Sequence, residues 1–146
     1  MNTQKTTSSA HSMTTIGDNK EDILISQLRI ATHNINGLKN DQLKLTDLCN
    51  EGLQREWDVI GVYETNITQE KGKHINRTLN GYLGFWSSKA QKIKGSGVCI
   101  LLNPKWEKHI AKVEKFNEYH IRITLLFKSC TIYINQIYSP PNDRQI

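Results

Sequence analysis

Two short apolar runs, each followed by a polar residue, constrain the fold of this chain more than any other feature. The first covers Gln27–His33 and stops at Asn34, and the second covers Val59–Tyr63 and stops at Glu64. Runs of this length are typical of β-strands. The second run is almost uniformly apolar, which suits a strand that is covered on both faces. We therefore predict two strands in the first half of the chain.

One helix-length segment separates the two runs. Asn40 or Asp41 can cap a helix that runs to about Glu56. A crossover of this length joins parallel strands, so the segment predicts a βαβ unit with both strand ends at the same edge of a sheet. One helical face would carry the apolar residues Leu45, Leu48, Cys49 and Leu53.

The polar residues at the two strand ends suggest a ligand site. Open α/β sheets bind their ligands at the carboxyl ends of strands, and amide and carboxylate oxygens suit a hard cation such as Mg²⁺. We expect the side chains of Asn34 and Glu64 to point into one shared cleft. Taken singly, Asn34 is better explained as a turn residue, Glu64 as a solvated carboxylate, and Tyr138 as a core aromatic residue.

The second half of the chain has a different pattern. The segment 72–81 is polar and irregular. Closely spaced strand candidates with turn signals between them favour an antiparallel meander, so the whole reads as βαβ followed by a meander in a mixed α+β sheet. Ile121, Ile123 and Leu125 alternate onto one face. The candidates are 82–88, 97–103, 109–116, 119–127 and 131–138.

The first 26 residues differ in composition from the rest. They are rich in Thr, Ser, Asn, Gln and Lys and poor in apolar residues before Ile23. Such a segment buries too little to offset its ordering entropy. We therefore predict a disordered polar tail at residues 1–26 and one domain at residues 27–146.

Composition also bounds the location of the chain. The chain lacks the apolar core of about seven residues that a signal peptide needs. It also lacks any apolar run of about 18 residues that could span a membrane. Cys49, Cys99 and Cys130 are odd in number and lie in apolar stretches, which favours buried thiols over disulfides. We expect an intracellular protein, nuclear or cytoplasmic, with no membrane and no disulfide partner.

The charge balance favours an anionic partner. The formal net charge is +5 and the sequence pI is about 9.1, which suits nucleic acid. Lys89, Lys92 and Lys94 lie in one loop without an intervening acid and are candidate contacts to a nucleic-acid backbone. The alternative is an exposed polar loop whose charge serves only solubility.

Four motifs, taken in order, resemble the endonuclease/exonuclease/phosphatase (DNase I-like) superfamily. They are HNINGL, DVIGVYET, GSGVCILL and QIYSPPN, and the resemblance runs from about Leu28 to Asn142. It is greatest to the apurinic-type endonuclease domain of non-LTR (LINE-type) retrotransposons. The resemblance implies an α/β sandwich of which this chain supplies the N-terminal portion.

The resemblance also implies roles for particular residues. Glu64 would bind a divalent metal, Mg²⁺ or Mn²⁺, and Asn34 would orient the metal site or its water. Asn36 would have a secondary metal or hydrogen-bonding role. Tyr138 would donate its hydroxyl to the scissile phosphate. These roles suit phosphodiester cleavage, which needs a cation on the non-bridging oxygens and donors for the developing charge. The partner would be nucleic acid, with DNA expected.

The sequence departs from the family pattern in its second half. The family has an Asp-x-Asn motif that orients the attacking water and a Ser-Asp-His motif that contains the general base. Neither motif occurs before the last residue, Ile146. We therefore expect a truncated, retroelement-derived nuclease domain that binds metal weakly and is inactive in isolation. The alternatives are a phosphomonoesterase or phospholipase branch of the same superfamily, or a non-catalytic nucleic-acid-binding remnant.

Overall fold

The computed structural model describes residues 16–38, 41–91 and 94–141. Within these ranges the chain alternates short helices and strands before it becomes wholly β. The elements in order are α1 Ile16–Ser26, β1 Ile30–Asn34, α2 Leu43–Gln54, β2 Val59–Tyr63, α3 Gln69–Ile75, β3 Leu83–Ser87, β4 Val98–Leu102, a 3-10 helix Pro104–His109, β5 Ile110–Asn117, β6 His120–Leu126 and β7 Thr131–Ile137.

The first sheet has the strand order β1-β2-β4-β3. Strands β1 and β2 are parallel, with Ile30 opposite Val59 and Asn34 opposite Tyr63. Strand β4 is antiparallel to both β2 and β3. The predicted βαβ unit is therefore confirmed, and it brings the carboxyl ends of β1 and β2 to the same edge. Strand β2 is buried along nearly its whole length, as its apolar composition predicted.

Strands β5, β6 and β7 form a second, antiparallel sheet. Side chains from both sheets share one core, to which β6 contributes the fully buried Ile121, Ile123 and Leu125. Alternate residues on β2 and β4 face the other way and join the core beneath α2 and α3. The strands thus divide into two facing sheets, instead of the single mixed sheet that strand spacing alone indicated.

A buried carboxylate ties the amino end of β2 to its surroundings. Asp58 is only 3% exposed. It forms an ion pair with Lys105 at 2.7 Å, and it accepts hydrogen bonds from the Arg29 backbone N–H at 2.9 Å and from Trp106 Nε1–H at 3.0 Å. The network therefore joins the start of the first sheet to the 3-10 helix after β4.

Helix α1 occupies part of the segment that we predicted as a disordered tail at residues 1–26. Its partners lie far away in the sequence. The Glu21 carboxylate accepts a hydrogen bond from the Lys128 backbone N–H at 3.0 Å, and Ile25 packs against the core between the sheets. Composition did not reveal these long-range contacts. Residues 1–15 lie outside the described residues.

Three further features differ from the sequence predictions. Helix α3 overlaps the start of the region read as irregular, and its amino end is capped by the Thr68 hydroxyl. Leu53 is 39% exposed, and Gly52 takes its place on the buried face of α2. Cys49 and Cys99 are buried as predicted, but Cys130 is exposed because it lies in the β6–β7 turn. Across the described ranges, no helix is long and apolar enough to cross a membrane.

Candidate metal and phosphate site

The loops that follow β1 and β2 run side by side beyond the ends of the strands. The Ile35 N–H donates to the Tyr63 carbonyl at 3.1 Å, the Gly37 N–H to the Glu64 carbonyl at 2.7 Å, and the Leu38 N–H to the Thr65 carbonyl at 2.9 Å. These bonds continue the parallel pairing. As a result, Asn36 and Glu64 reach the same edge of the sheet on a fixed backbone.

Asn66 joins these loops to the β3–β4 loop. It is buried, its N–H donates to the Ser96 carbonyl at 2.9 Å, and its side-chain oxygen accepts from the Gly95 N–H at 2.7 Å. The same oxygen accepts from the Ser96 N–H at 3.3 Å. One amide side chain thereby fixes the loop that carries Lys94. We did not identify Asn66 from the sequence, where only its place two residues after Glu64 could have marked it.

The three loops and the residues after β7 enclose a cavity of about 350 Å³. It contains one carboxylate, that of Glu64, and one ammonium group, that of Lys94, together with amide and phenol groups. The lining residues are Asn36, Glu64, Asn66, Lys94, Gly95, Tyr119, Tyr138, Pro140 and Pro141. We call this cavity the cleft.

Tyr138 is held in the cleft from several sides. Its hydroxyl donates a hydrogen bond to the Glu64 carboxylate. Its ring stacks on Tyr63, with centroids 4.8 Å apart and an interplanar angle of 25°, and its N–H donates to the Tyr119 carbonyl at 2.9 Å. The hydrogen bond to Glu64, with lesser effects of burial and of nearby charge, raises the pKa of Tyr138 to about 12. The phenol is therefore a protonated donor at neutral pH.

Three residues of the cleft have left-handed backbone conformations. The φ angles are 49° at Asn36, 55° at Glu64 and 53° at Asn66. Asparagine tolerates this region, but for most other side chains it costs roughly 1–2 kcal/mol. A glutamate held at such an angle indicates that the surrounding hydrogen bonds dictate where its carboxylate lies. Strain of this kind concentrates at functional sites.

The donor set of the cleft fits a hard cation, with few protein ligands. The Glu64 carboxylate and the Asn36 amide line the same cavity, and such oxygens are the ligands that Mg²⁺ uses. Within the residues that the structure describes, no group of three or more His, Cys, Asp or Glu side chains converges on one point. An ion bound here would therefore keep most of its water.

The predicted site residues do not all lie in the cleft. Asn36, Glu64, Tyr138 and Lys94 line it together. Asn34 does not, because its side-chain oxygen accepts the Asn36 backbone N–H at 2.9 Å and shapes the turn. The cleft that we predicted for Asn34 and Glu64 thus has Asn36 in place of Asn34.

The three lysines predicted to contact nucleic acid have different surroundings. Lys94 lines the cleft. Lys89 lies in a neighbouring groove and forms an ion pair with Glu118 at 3.1 Å. Lys92 lies outside the described residues. The basic loop therefore does not present one continuous patch through Lys89 and Lys94.

Several solved structures are similar to this chain. The AP endonuclease LMAP from Leishmania major aligns with a TM-score of 0.58 and 15% identity, over 76% of this chain and 40% of that chain. D. rerio TDP2 complexed with a single-strand DNA product aligns with a TM-score of 0.52 and 17% identity, over 81% of this chain and 49% of that chain. The endonuclease domain of TRAS1, a telomere-specific non-LTR retrotransposon, aligns with a TM-score of 0.52 and 15% identity, over 79% of this chain and 47% of that chain. No protein-family model and no curated protein matches the chain.

The two facing sheets and these similarities define the class of fold. It is a DNase I-like α/β sandwich, the fold of the AP endonuclease and TRAS1 endonuclease structures. The resemblance inferred from the four sequence motifs is therefore confirmed for the fold. This chain spans between 40% and 49% of the length of the structures described above.

The contact between Tyr138 and Glu64 makes a prediction for tyrosine titration. Glu64→Gln removes the negative charge that opposes ionisation of the phenol, so the pKa of Tyr138 should fall from about 12 toward its usual value of 10.0. Tyr82 serves as an internal control, because burial is the largest cause that raises its pKa to about 12. The ¹³Cζ shifts of labelled tyrosines, followed against pH, measure both. An unchanged Tyr138 in the variant would show that Glu64 does not control it.

Proposed function

We propose that this chain supplies the metal side of a phosphodiesterase site that acts on nucleic acid, in a nuclease domain of retroelement origin. The observation that carries the proposal is the hydrogen bond from Tyr138 to Glu64 in a cleft at the carboxyl ends of two parallel strands. The cleft places a carboxylate, an amide, a phenol and an ammonium group around one space. The similarity to AP endonuclease, TDP2 and TRAS1 structures supports the nuclease assignment.

Each cleft residue has a distinct role in the proposal. Glu64 and Asn36 would hold Mg²⁺ or Mn²⁺, which would supply Lewis-acid stabilisation of charge on phosphate oxygens. Tyr138 stays protonated, and when a phosphate binds, its hydroxyl would turn from the Glu64 carboxylate and donate to a non-bridging oxygen of the scissile phosphate. Lys94 adds a positive charge to the lining of the cleft. Asn34 acts indirectly, by fixing the turn that carries Asn36.

Activation of the attacking water is the step that these residues do not provide. None of the residues lining the cleft is a histidine, and Glu64 is the single carboxylate among them. General-base catalysis typically contributes about a hundred- to ten-thousand-fold. We therefore propose that the 146-residue chain alone binds nucleic acid and metal with little or no turnover.

The metal proposal is tested most directly by Mn²⁺ binding, measured by electron paramagnetic resonance. We expect weak binding by the natural chain and its loss in Glu64→Ala, because the carboxylate is the main protein ligand. Glu107→Ala is the matched control, since Glu107 is an exposed carboxylate on the 3-10 helix. Equal Mn²⁺ binding by all three proteins would refute a metal site at Glu64.

The activity proposal is tested by nicking of supercoiled plasmid in the presence of Mg²⁺. The natural chain and Glu64→Ala should give the same background, since neither has a positioned base. Robust nicking that disappears in Glu64→Ala would show that the chain carries a complete catalytic site. The same outcome would eliminate the non-catalytic binding alternative.

A further inference from the structure

A second concave surface lies next to the cleft. It has a volume of about 450 Å³ and lies where α3, the end of β3 and the end of β5 meet. Lys73, Lys89 and Lys115 line it, together with Phe116 and Glu118. We call this surface the lysine groove.

The lysine groove carries excess positive charge. Lys89 is neutralised by its ion pair with Glu118 at 3.1 Å. Among the described residues, no carboxylate forms an ion pair with Lys73 or Lys115. Burial and the nearby Lys73 lower the pKa of Lys115, as expected for two ammonium groups that share one surface. Two unneutralised cations across a groove would gain from an anion placed between them.

The lysine groove and the cleft meet at the β5–β6 turn. Glu118 lines the groove and its neighbour Tyr119 lines the cleft. The Glu118 carbonyl accepts the Gly97 N–H, and the Tyr119 carbonyl accepts the Tyr138 N–H, each at 2.9 Å. The turn is therefore fixed to the same loops that form the cleft. A polymer whose phosphate lies beside Tyr138 could continue over this turn into the groove.

Phe116 gives the lysine groove an aromatic wall. Its side chain is 48% exposed, its ring stacks on His120 with centroids 4.4 Å apart, and the Arg122 guanidinium lies 5.3 Å from its centroid. These neighbours hold the ring in place while leaving part of it open. Alternating cations and exposed aromatic rings are the features that single-stranded nucleic acid uses for backbone and base contacts.

We propose that the lysine groove binds the sugar–phosphate backbone of a single strand that continues from the scissile phosphate in the cleft. Lys73 and Lys115 contact phosphates, and Phe116 offers a surface on which an unpaired base stacks. The proposal rests on the nuclease function proposed above and adds the path of the strand. It also assigns a role to three residues, Lys73, Lys115 and Phe116, that lie outside the cleft.

The test is fluorescence anisotropy of a labelled oligothymidylate strand, titrated with protein in EDTA at several salt concentrations. The double variant Lys73→Gln/Lys115→Gln should bind at least about tenfold more weakly at low salt. Its slope of log affinity against log salt should fall by about 1.4, since each single-strand phosphate contact contributes about 0.7. The control Lys108→Gln/Lys128→Gln has the same change in charge at two lysines remote from the groove.

A further variant separates base stacking from the phosphate contacts. Phe116→Ala should weaken binding about tenfold without changing the salt slope, because stacking releases no counterions. Circular dichroism of each variant checks that it folds. No binding by the natural chain, equal losses in both lysine pairs, or tighter binding of a duplex than of the single strand would each overturn the proposal. If the lysine groove proved not to bind the strand while Mn²⁺ binding remained intact and dependent on Glu64, the groove proposal would fail and the nuclease proposal would stand.

Discussion

Replacing Asp58 with alanine should lower the free energy of unfolding by about 3 kcal/mol. The substitution leaves two donors, the Arg29 backbone N–H and the Trp106 indole N–H, without their carboxylate acceptor. A buried donor left unsatisfied costs about 1–3 kcal/mol. Lys105 adds little to the loss, because its side chain is 53% exposed and regains water. Urea denaturation followed by tryptophan fluorescence measures the change.

Glu51→Ala is the matched control for this effect. It also removes a carboxylate from an ion pair, but both Glu51 and Arg55 are largely exposed. Pairs of this kind on a helix surface contribute about 0.3–0.5 kcal/mol. A loss at Asp58 no larger than the loss at Glu51 would contradict the importance of the buried network.

The same network should make the fold sensitive to acid. Burial raises the pKa of Asp58, but Lys105, the Arg29 N–H and the Trp106 indole together outweigh it and hold the pKa below the usual 3.8. The ionised carboxylate is therefore favoured in the folded chain. This stability is fully present above pH 3.8 and is lost as the pH falls through the lowered pKa. The acid-dependent loss of stability that Asp58 causes should be absent in Asp58→Ala.

Gly97→Ala should destabilise the chain by about 3 kcal/mol. The backbone at Gly97 has φ +90°, and a Cβ there would overlap the buried Thr65 hydroxyl. The left-handed conformation costs roughly 1–2 kcal/mol for a residue with a side chain, and overpacking adds about 1–3 kcal/mol. Because the Thr65 N–H donates to the Gly97 carbonyl, relief of the overlap would also move the loops that form the cleft.

Gly95→Ala separates the cost of the left-handed backbone from the cost of steric overlap. Gly95 has a similar φ of +73°, but no atom lies within 4 Å of the position its Cβ would take. It should therefore show only the backbone cost, about 1 kcal/mol. Thermal unfolding of both variants makes the comparison. If Gly97→Ala were no more destabilising than Gly95→Ala, contact with Thr65 would not limit the packing at this loop.

The strands could be predicted from sequence because each carries its own signal. Val59–Tyr63 is apolar throughout because helices cover one face of the sheet and the second sheet covers the other. Ile121, Ile123 and Leu125 alternate because only one face of β6 is buried. The predicted strands are all present in the structure. In each case the environment of a strand acts on consecutive residues, and the pattern can be read locally.

Features that depend on distant partners could not be predicted in this way. Helix α3 buries little beyond Gly72 and Ile75, so it shows no apolar periodicity. Helix α1 depends on contacts with the β6–β7 turn, more than a hundred residues away. Leu53 fits the helical spacing, yet Gly52 is buried in its place because Tyr82 and Ile60 approach the backbone there.

The candidate site shows the same division. The resemblance to known motifs selected Glu64 and Tyr138, and the structure brings them into contact. Motif order could not distinguish Asn34, whose side chain bonds to its own turn, from Asn36, which faces the cleft. Asn66 belongs to none of the four family motifs, and its role as the link between two loops depends on backbone groups about 30 residues away.

The left-handed backbone at Glu64 has an evolutionary consequence. Glycine or asparagine would adopt the φ of 55° with less strain, so selection for stability alone favours the loss of this carboxylate. If Glu64 binds a metal as proposed, selection for chemistry would favour its retention. A lineage released from catalytic selection would therefore gain stability by replacing this glutamate, whereas the neighbouring Asn36 and Asn66 already suit their conformations. Under the proposed function, the residue at position 64 in related sequences would thus indicate whether a lineage is still selected for catalysis.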